Sequence, residues 1–158
     1  MFYNNSIYQN YKKGGYYMNE KLITRAEEIL AEKTRDKSTA HCTLAQIDLD
    51  GFPTAATITA SRAKGIGQIF FCSGLLSNWA KRAQNDNRAS ICFNSAEYNI
   101  TLVGILEIVT DPETKKDMWY DAMSNHFSGP EDSQYCVLRF TTQRYSLLVD
   151  WQEGRGAL

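Results

Sequence analysis

The sequence predicts a mainly β domain in which six to seven antiparallel strands curl into a closed or nearly closed barrel with a few interrupting helices. Two observations carry this. Strand-type runs follow one another across short turn signals, without the regular strand–helix alternation of a parallel sheet. No GxGxxG stands between a strand and a helix, and Gly65-Ile66-Gly67 leads back into strand. The 158 residues, 43% hydrophobic and 22% charged, suit one globular domain with a substantial core.

The elements follow in order. Residues 1–17 show no hydrophobic period, and Met18 stands after them. Lys12-Lys13-Gly14-Gly15 can be encoded by a purine-rich run containing a bacterial ribosome-binding sequence, two codons before Met18. The expectation is a natural start at Met18, a mobile or non-native tail over 1–17, and a domain over 18–153. From Asn19 the pattern turns helical, with Leu22, Ala26, Ile29 and Leu30 on one face.

Thr39 to Leu49 alternates as a strand, and Asp50-Gly51 signals a hairpin into a second strand over 54–61. Arg62 to Gly67 reads as a turn, Gln68 to Ser73 as the third strand, and 77–85 as a helix capped by Ser77. Arg88 to Phe93 and Asn99 to Thr110 are the next strands, with Gly104 marking a bulge or close backbone approach. Asp111-Pro112-Glu113 starts a helix expected to reach about Asn125. A loop over 127–133, strands over 135–142 and 144–151, and a flexible tail over 154–158 complete the chain.

Composition excludes several functions. A net charge of −1 with scattered Lys and Arg gives no nucleic-acid footprint. No apolar run approaches the roughly 20 residues that span a bilayer. There is no signal peptide, so the expected compartment is the cytoplasm. Cys42, Cys72, Cys92 and Cys136 lie far apart without CxxC or Cys/His spacing, which argues against a metal site. Cys42, Cys92 and Cys136 read as small buried hydrophobes. His41 and His126 fit no triad, so chemistry by the protein's own side chains is not indicated.

The second strand is unusual. Over Thr54 to Ser61 its only bulky side chain is Ile58. Such a lean strand suits either close backbone packing or a flat ligand lying along it. The third strand ends in Cys72-Ser73, and a Ser77 cap would leave the amides of Asn78, Trp79 and Ala80 free for a phosphate. Together these can line one pocket for a planar ring with a phosphate tail.

The order dGfPtaatit…g.iFFcsgllSNw.kraqndnrasicF…yNitLvGileIvtDpe, over roughly Ala40 to Trp151, resembles the FMN-binding split-barrel family that includes pyridoxamine 5′-phosphate oxidase, and within it the short bacterial general stress proteins. The resemblance implies a split barrel, a homodimer with flavin at its interface, and an FMN-dependent oxidoreductase acting on a small molecule, with NAD(P)H as electron donor. By position it implies cofactor contacts from Ala56, Thr57, Ile58 and Thr59, with Arg62 as a phosphate partner. It adds Cys72 and Ser73, then Ser77, Asn78 and Trp79, and Asn99 beside the flavin ring.

Two departures stand out. The family commonly carries Lys where this chain has Trp79, removing a charge-assisted phosphate contact unless Arg62, Lys81 or Arg82 substitutes. The C-terminal extension that holds the pyridoxal ring in true pyridoxamine phosphate oxidases is missing, which argues against vitamin B6 oxidation. The alternatives are a non-catalytic flavin-binding or flavin-buffering protein, and a dimeric barrel without cofactor whose site is filled by Trp79.

Overall fold

The computed structural model describes residues 5–158, with side chains from Asn19 onward. Among the described residues eight strands form one antiparallel sheet, and three α-helices and a 3-10 turn accompany it. The strands are β1 Ala40–Ile47, β2 Pro53–Ala60, β3 Arg62–Lys64, β4 Gln68–Gly74, β5 Arg88–Asn94, β6 Tyr98–Val109, β7 Tyr135–Val149 and β8 Gln152–Ala157. The helices are α1 Asn5–Lys33, α2 Asn78–Asn85 and α3 Pro112–Met118, followed by the 3-10 turn Asp121–Asn125. Among the described residues no helix is long and apolar enough to cross a membrane.

The sheet runs β2-β1-β5-β6-β7-β4-β3, with β8 beside β7. It curls because β2 and β3 are one bent strand that changes partner at Ser61. Ala60 still pairs with Ala40 of β1, whereas the Ser61 amide donates to the Phe70 carbonyl of β4 at 2.8 Å. The bend brings both ends of the path together into a split barrel. Leu44, Ile69, Phe71, Ile91, Leu102 and Phe140 fill its interior, each fully buried. The predicted face of α1, Leu22, Ala26, Ile29 and Leu30, joins this core. The reading of 1–17 as a tail falls on residues 1–4 and on side chains before Asn19, outside the described residues; α1 itself begins at Asn5.

Four expectations are corrected. Residues 62–64 are not a turn but β3, held by β4. The two strands expected over 135–151 are one, because Gln143 is absorbed as a bulge: Gly104 pairs with Thr142 and Val103 with Arg144. Gly104 is required there, since a Cβ would collide with the Thr141 carbonyl oxygen. The expected flexible tail is instead β8, joined to β7 through Asp150 and Trp151, both with positive φ (49° and 63°). Its glycines serve packing rather than flexibility, since Gly156 lies flat against the Tyr145 ring.

Finally, α3 stops at Met118, short of Asn125. Met118 turns into a second apolar cluster with Phe70, Tyr135 and Val137, joined by Trp119 and Phe127. The Lys37 ammonium caps the break, donating to the carbonyls of Asp117 at 2.9 Å and Trp119 at 3.1 Å. The chain is thereby turned across the mouth of the barrel beside β4.

Candidate functional site

The largest cavity described, about 640 Å³, opens between the lean strand and the segment after α3. One wall comes from Ile58 and Thr59 of β2, Cys72 and Ser73 at the end of β4, and Trp79 in the first turn of α2. Tyr120, Met123, His126 and Phe127 form the other. A cavity of this size, walled by aromatic and apolar groups with a few polar atoms, is what small-molecule sites look like.

Local chemistry explains the polar atoms. Ser77 is the N-cap of α2, and its Oγ accepts from the Ala80 amide at 3.1 Å. Ala80 is therefore not free, contrary to expectation, whereas the amides of Asn78 and Trp79 have no partner among the described residues. Ser73 Oγ and Ser77 Oγ lie 3.0 Å apart. Since Ser77 Oγ already accepts from Ala80 and only one proton lies between the two hydroxyls, one hydroxyl proton remains for a ligand.

Deeper in, the Cys72 thiol donates to the Met118 carbonyl at 3.4 Å, so the hydrogen bond between Cys72 Sγ and the Tyr135 hydroxyl at 3.3 Å has the phenol as donor. Burial pushes the Cys72 thiol up, and burial followed by the Cys72 contact pushes the Tyr135 phenol up, so both stay neutral.

The predicted residues separate into groups. Ile58, Thr59, Cys72, Ser73 and Trp79 line one cavity, and Ser77 and Asn78 stand at its helix end. Trp79 walls the cavity and does not fill it; Arg82 stacks on its ring at 5.8 Å. Ala56 and Thr57 are exposed on β2 outside the cavity lining. Arg62 is engaged in an ion pair with Asp117. Asn99 lies apart on the outer sheet face, its Oδ1 accepting from Thr101 Oγ1 at 2.9 Å. Among the described residues no Lys or Arg lines the cavity, and no group of His, Cys, Asp and Glu could hold a metal ion.

Comparison with known proteins now bears on this arrangement. Residues 26–148 match the family described as Pyridoxamine 5′-phosphate oxidase like. The chain belongs to that family. No curated protein matches it. General stress protein 26 from Bacillus anthracis superposes with a TM-score of 0.68 at 15% identity, covering 84% of this chain and 98% of that one. A pyridoxamine 5′-phosphate oxidase-related, FMN-binding protein from Nostoc punctiforme gives 0.60 at 13% identity, covering 89% and 94%. A heme-binding protein from Mycobacterium smegmatis gives 0.59 at 23% identity, covering 81% of this chain and 57% of that one. At these identities the likeness is one of fold.

For this member of the pyridoxamine 5′-phosphate oxidase like family, sequence reasoning missed the wall from Tyr120 to Phe127. Its residues read as a helix face and a loop. The available signal was the density of Trp119, Tyr120, Met123, His126 and Phe127, too many large groups for one helix stripe. Ser61, at the bend between β2 and β3, was also missed; it read as the end of a strand.

Proposed function

We propose that the chain is an FMN-binding protein that works as a homodimeric oxidoreductase on a small molecule. The single observation that carries this reading is the open cavity bounded by the lean strand, the end of β4 and the start of α2. The residues present fit the cofactor. Aromatic and apolar walls suit a planar ring, and the amides of Asn78 and Trp79, with the spare proton of the Ser73–Ser77 pair, suit a phosphate. Bound FMN would supply the electron transfer that these side chains cannot.

The protein's own part is to bind and orient. Ile58 and Thr59 of β2, with Trp79 and Phe127, would hold the ring, and the start of α2 would hold the phosphate. In this reading Arg62 is withheld from the phosphate by Asp117. The homodimer is supported by β2, an edge strand paired only with β1 along Pro53–Ala60 and largely exposed. Exposed Leu49 and Phe52 at its hairpin add apolar surface. A second copy would cover β2 and bring Asn99, which one chain leaves outside its cavity, toward the cofactor. NAD(P)H is the proposed reductant and the cytoplasm the proposed compartment.

Purification tests this directly. The expected result is a yellow dimer that releases FMN on denaturation and is bleached anaerobically by NADPH or NADH. Colourless protein that ignores added FMN would overturn the reading. Protein that binds FMN but is not reduced by either nucleotide would favour a flavin-buffering role.

A further inference from the structure

Charge is scarce in the cavity. Among the described residues no Asp, Glu, Lys or Arg lines it. Burial pushes the Cys72 thiol and the Tyr120 phenol up, so both lining groups stay neutral at neutral pH. That leaves His126 as the one lining group, among the described residues, able to gain a charge in mild acid. Its backbone amide donates to the Met123 carbonyl at 3.0 Å, and its ring stands edge-on to Phe127 with centroids 6.4 Å apart. Among the described residues neither ring nitrogen has a hydrogen-bond partner, nor does the side-chain amide of Asn125, which also lines the cavity.

Burial is graded along the same wall. Met123 is buried and Phe127 half-buried, whereas Asn125 and His126 are exposed where the cavity opens. An apolar, aromatic interior thus ends in hydrogen-bond donors, one of which becomes cationic. A ligand matching that gradient has an aromatic body and an acidic group at one end. A carboxylate offers one oxygen to the Asn125 amide and the other to the His126 ring.

The other charged and titratable groups nearby lie outside the lining and are mostly committed. His41 Nδ1 meets Thr59 Oγ1 at 3.2 Å. The Asp36 carboxylate accepts from the Ser38 amide and hydroxyl at 2.9 and 2.6 Å. Lys37 donates to two backbone carbonyls, Arg62 pairs with Asp117, and Arg82 stacks on Trp79. Asp121, at the start of the 3-10 turn, is exposed. An anion beside the His126 ring favours the imidazolium, so affinity is highest in mild acid and falls as pH rises.

We infer that Asn125 and His126 make the mouth of this cavity a subsite for the carboxylate of an aromatic acid, the substrate class of the site. As a substrate assignment this rests on the flavin reading; as a binding site it is measured independently.

The test is calorimetric titration of the full-length protein, with and without FMN, using cinnamate and its uncharged match cinnamamide at about pH 5.5 and about pH 8. Cinnamate should bind about tenfold more tightly at the lower pH, the yield of one charge-assisted hydrogen bond at an accessible site. Cinnamamide should bind equally at both. His126→Gln should remove the pH response, His41→Gln should leave it, and Asn125→Ala should weaken cinnamate a few-fold at either pH, with melting temperature confirming folded protein. Cinnamate affinity that ignores pH, a response shared by cinnamamide, kept in His126→Gln or lost in His41→Gln, or displacement of cinnamate by FMN would overturn the inference. FMN affinity is measured on the same samples. A His126-dependent cinnamate response without FMN binding supports the subsite and sinks the flavin reading. FMN binding without that response does the reverse.

Discussion

Ser77→Ala separates the two roles assigned to one hydroxyl. In the structure Ser77 Oγ caps the Ala80 amide at 3.1 Å and meets Ser73 Oγ at 3.0 Å. Ala80 is fully buried, so losing the cap strands its N–H away from water. A lost cap costs about 1 kcal/mol and a stranded buried donor ~1–3 kcal/mol, which overlap here because they are the same amide. A total of about 2 kcal/mol is expected, or a fall of roughly 4–8 °C in Tm for a domain of this size.

The same change frees Ser73 to turn inward and removes the ordered start of α2, so FMN should bind about tenfold more weakly. Thermal melts of the apoprotein report the first effect, and flavin fluorescence titration the second. Ser77→Thr, which keeps the hydroxyl, should restore most of both. A loss of stability with FMN affinity unchanged would refute the location of the phosphate. A melting temperature unchanged within a degree would refute the capping argument itself.

Gly104→Val should destabilise by about 3 kcal/mol or more, because its side chain meets backbone at the bulge and neither β6 nor β7 can yield; denaturant unfolding checks this. Asp117→Asn releases Arg62. The pair is largely exposed on the Asp117 side, so its stability cost should stay under about 1 kcal/mol, and FMN affinity should rise if Arg62 then turns to the phosphate. Hydrogen bonding by Arg62 holds the Asp117 carboxyl below its ordinary value. Its contribution is therefore present above the ordinary carboxylate pKa and lost as pH falls through the lowered one, and acid melts of wild type against Asp117→Asn should diverge only above that range.

What the sequence made legible was whatever local chemistry decides. Ser77 and Asp111 cap the helices they were expected to cap, because a side-chain acceptor three residues before a free amide needs no tertiary context. Gly104 marks a bulge, because a missing side chain in a long apolar strand has few other uses. The errors sit where distant partners override local preference. Residues 154–158 look like a loose tail until Tyr145 supplies a surface that only glycine can approach. α3 has the periodicity to continue past Met118, but burying Met118 and Trp119 against Tyr135 outweighs another turn of helix. The far wall of the cavity follows from that break, and its one local signal was the density of large side chains from Trp119 to Phe127. Arg62 looked free because its partner, Asp117, lies 55 residues away.

The Trp at position 79, where the family resemblance implies a Lys, has a physical consequence that ionic strength exposes. With no Lys or Arg among the described residues lining the cavity, a phosphate there would be held by backbone amides, a hydroxyl and the dipole of an eight-residue helix. These are oriented partial charges at hydrogen-bond range, and salt screens them far less than it screens a full charge several ångströms away. FMN affinity should therefore change less than about threefold between low salt and about 1 M salt. Riboflavin, which lacks the phosphate, should bind more weakly than FMN by a factor that salt does not erase. A steep salt dependence would mean that a mobile cation completes the site. Arg82, stacked on the Trp79 ring, would be the first to replace with Gln. If Arg82→Gln then removed the salt dependence together with the preference for FMN over riboflavin, the charge lost at position 79 would have been recovered one helical turn further along rather than dispensed with.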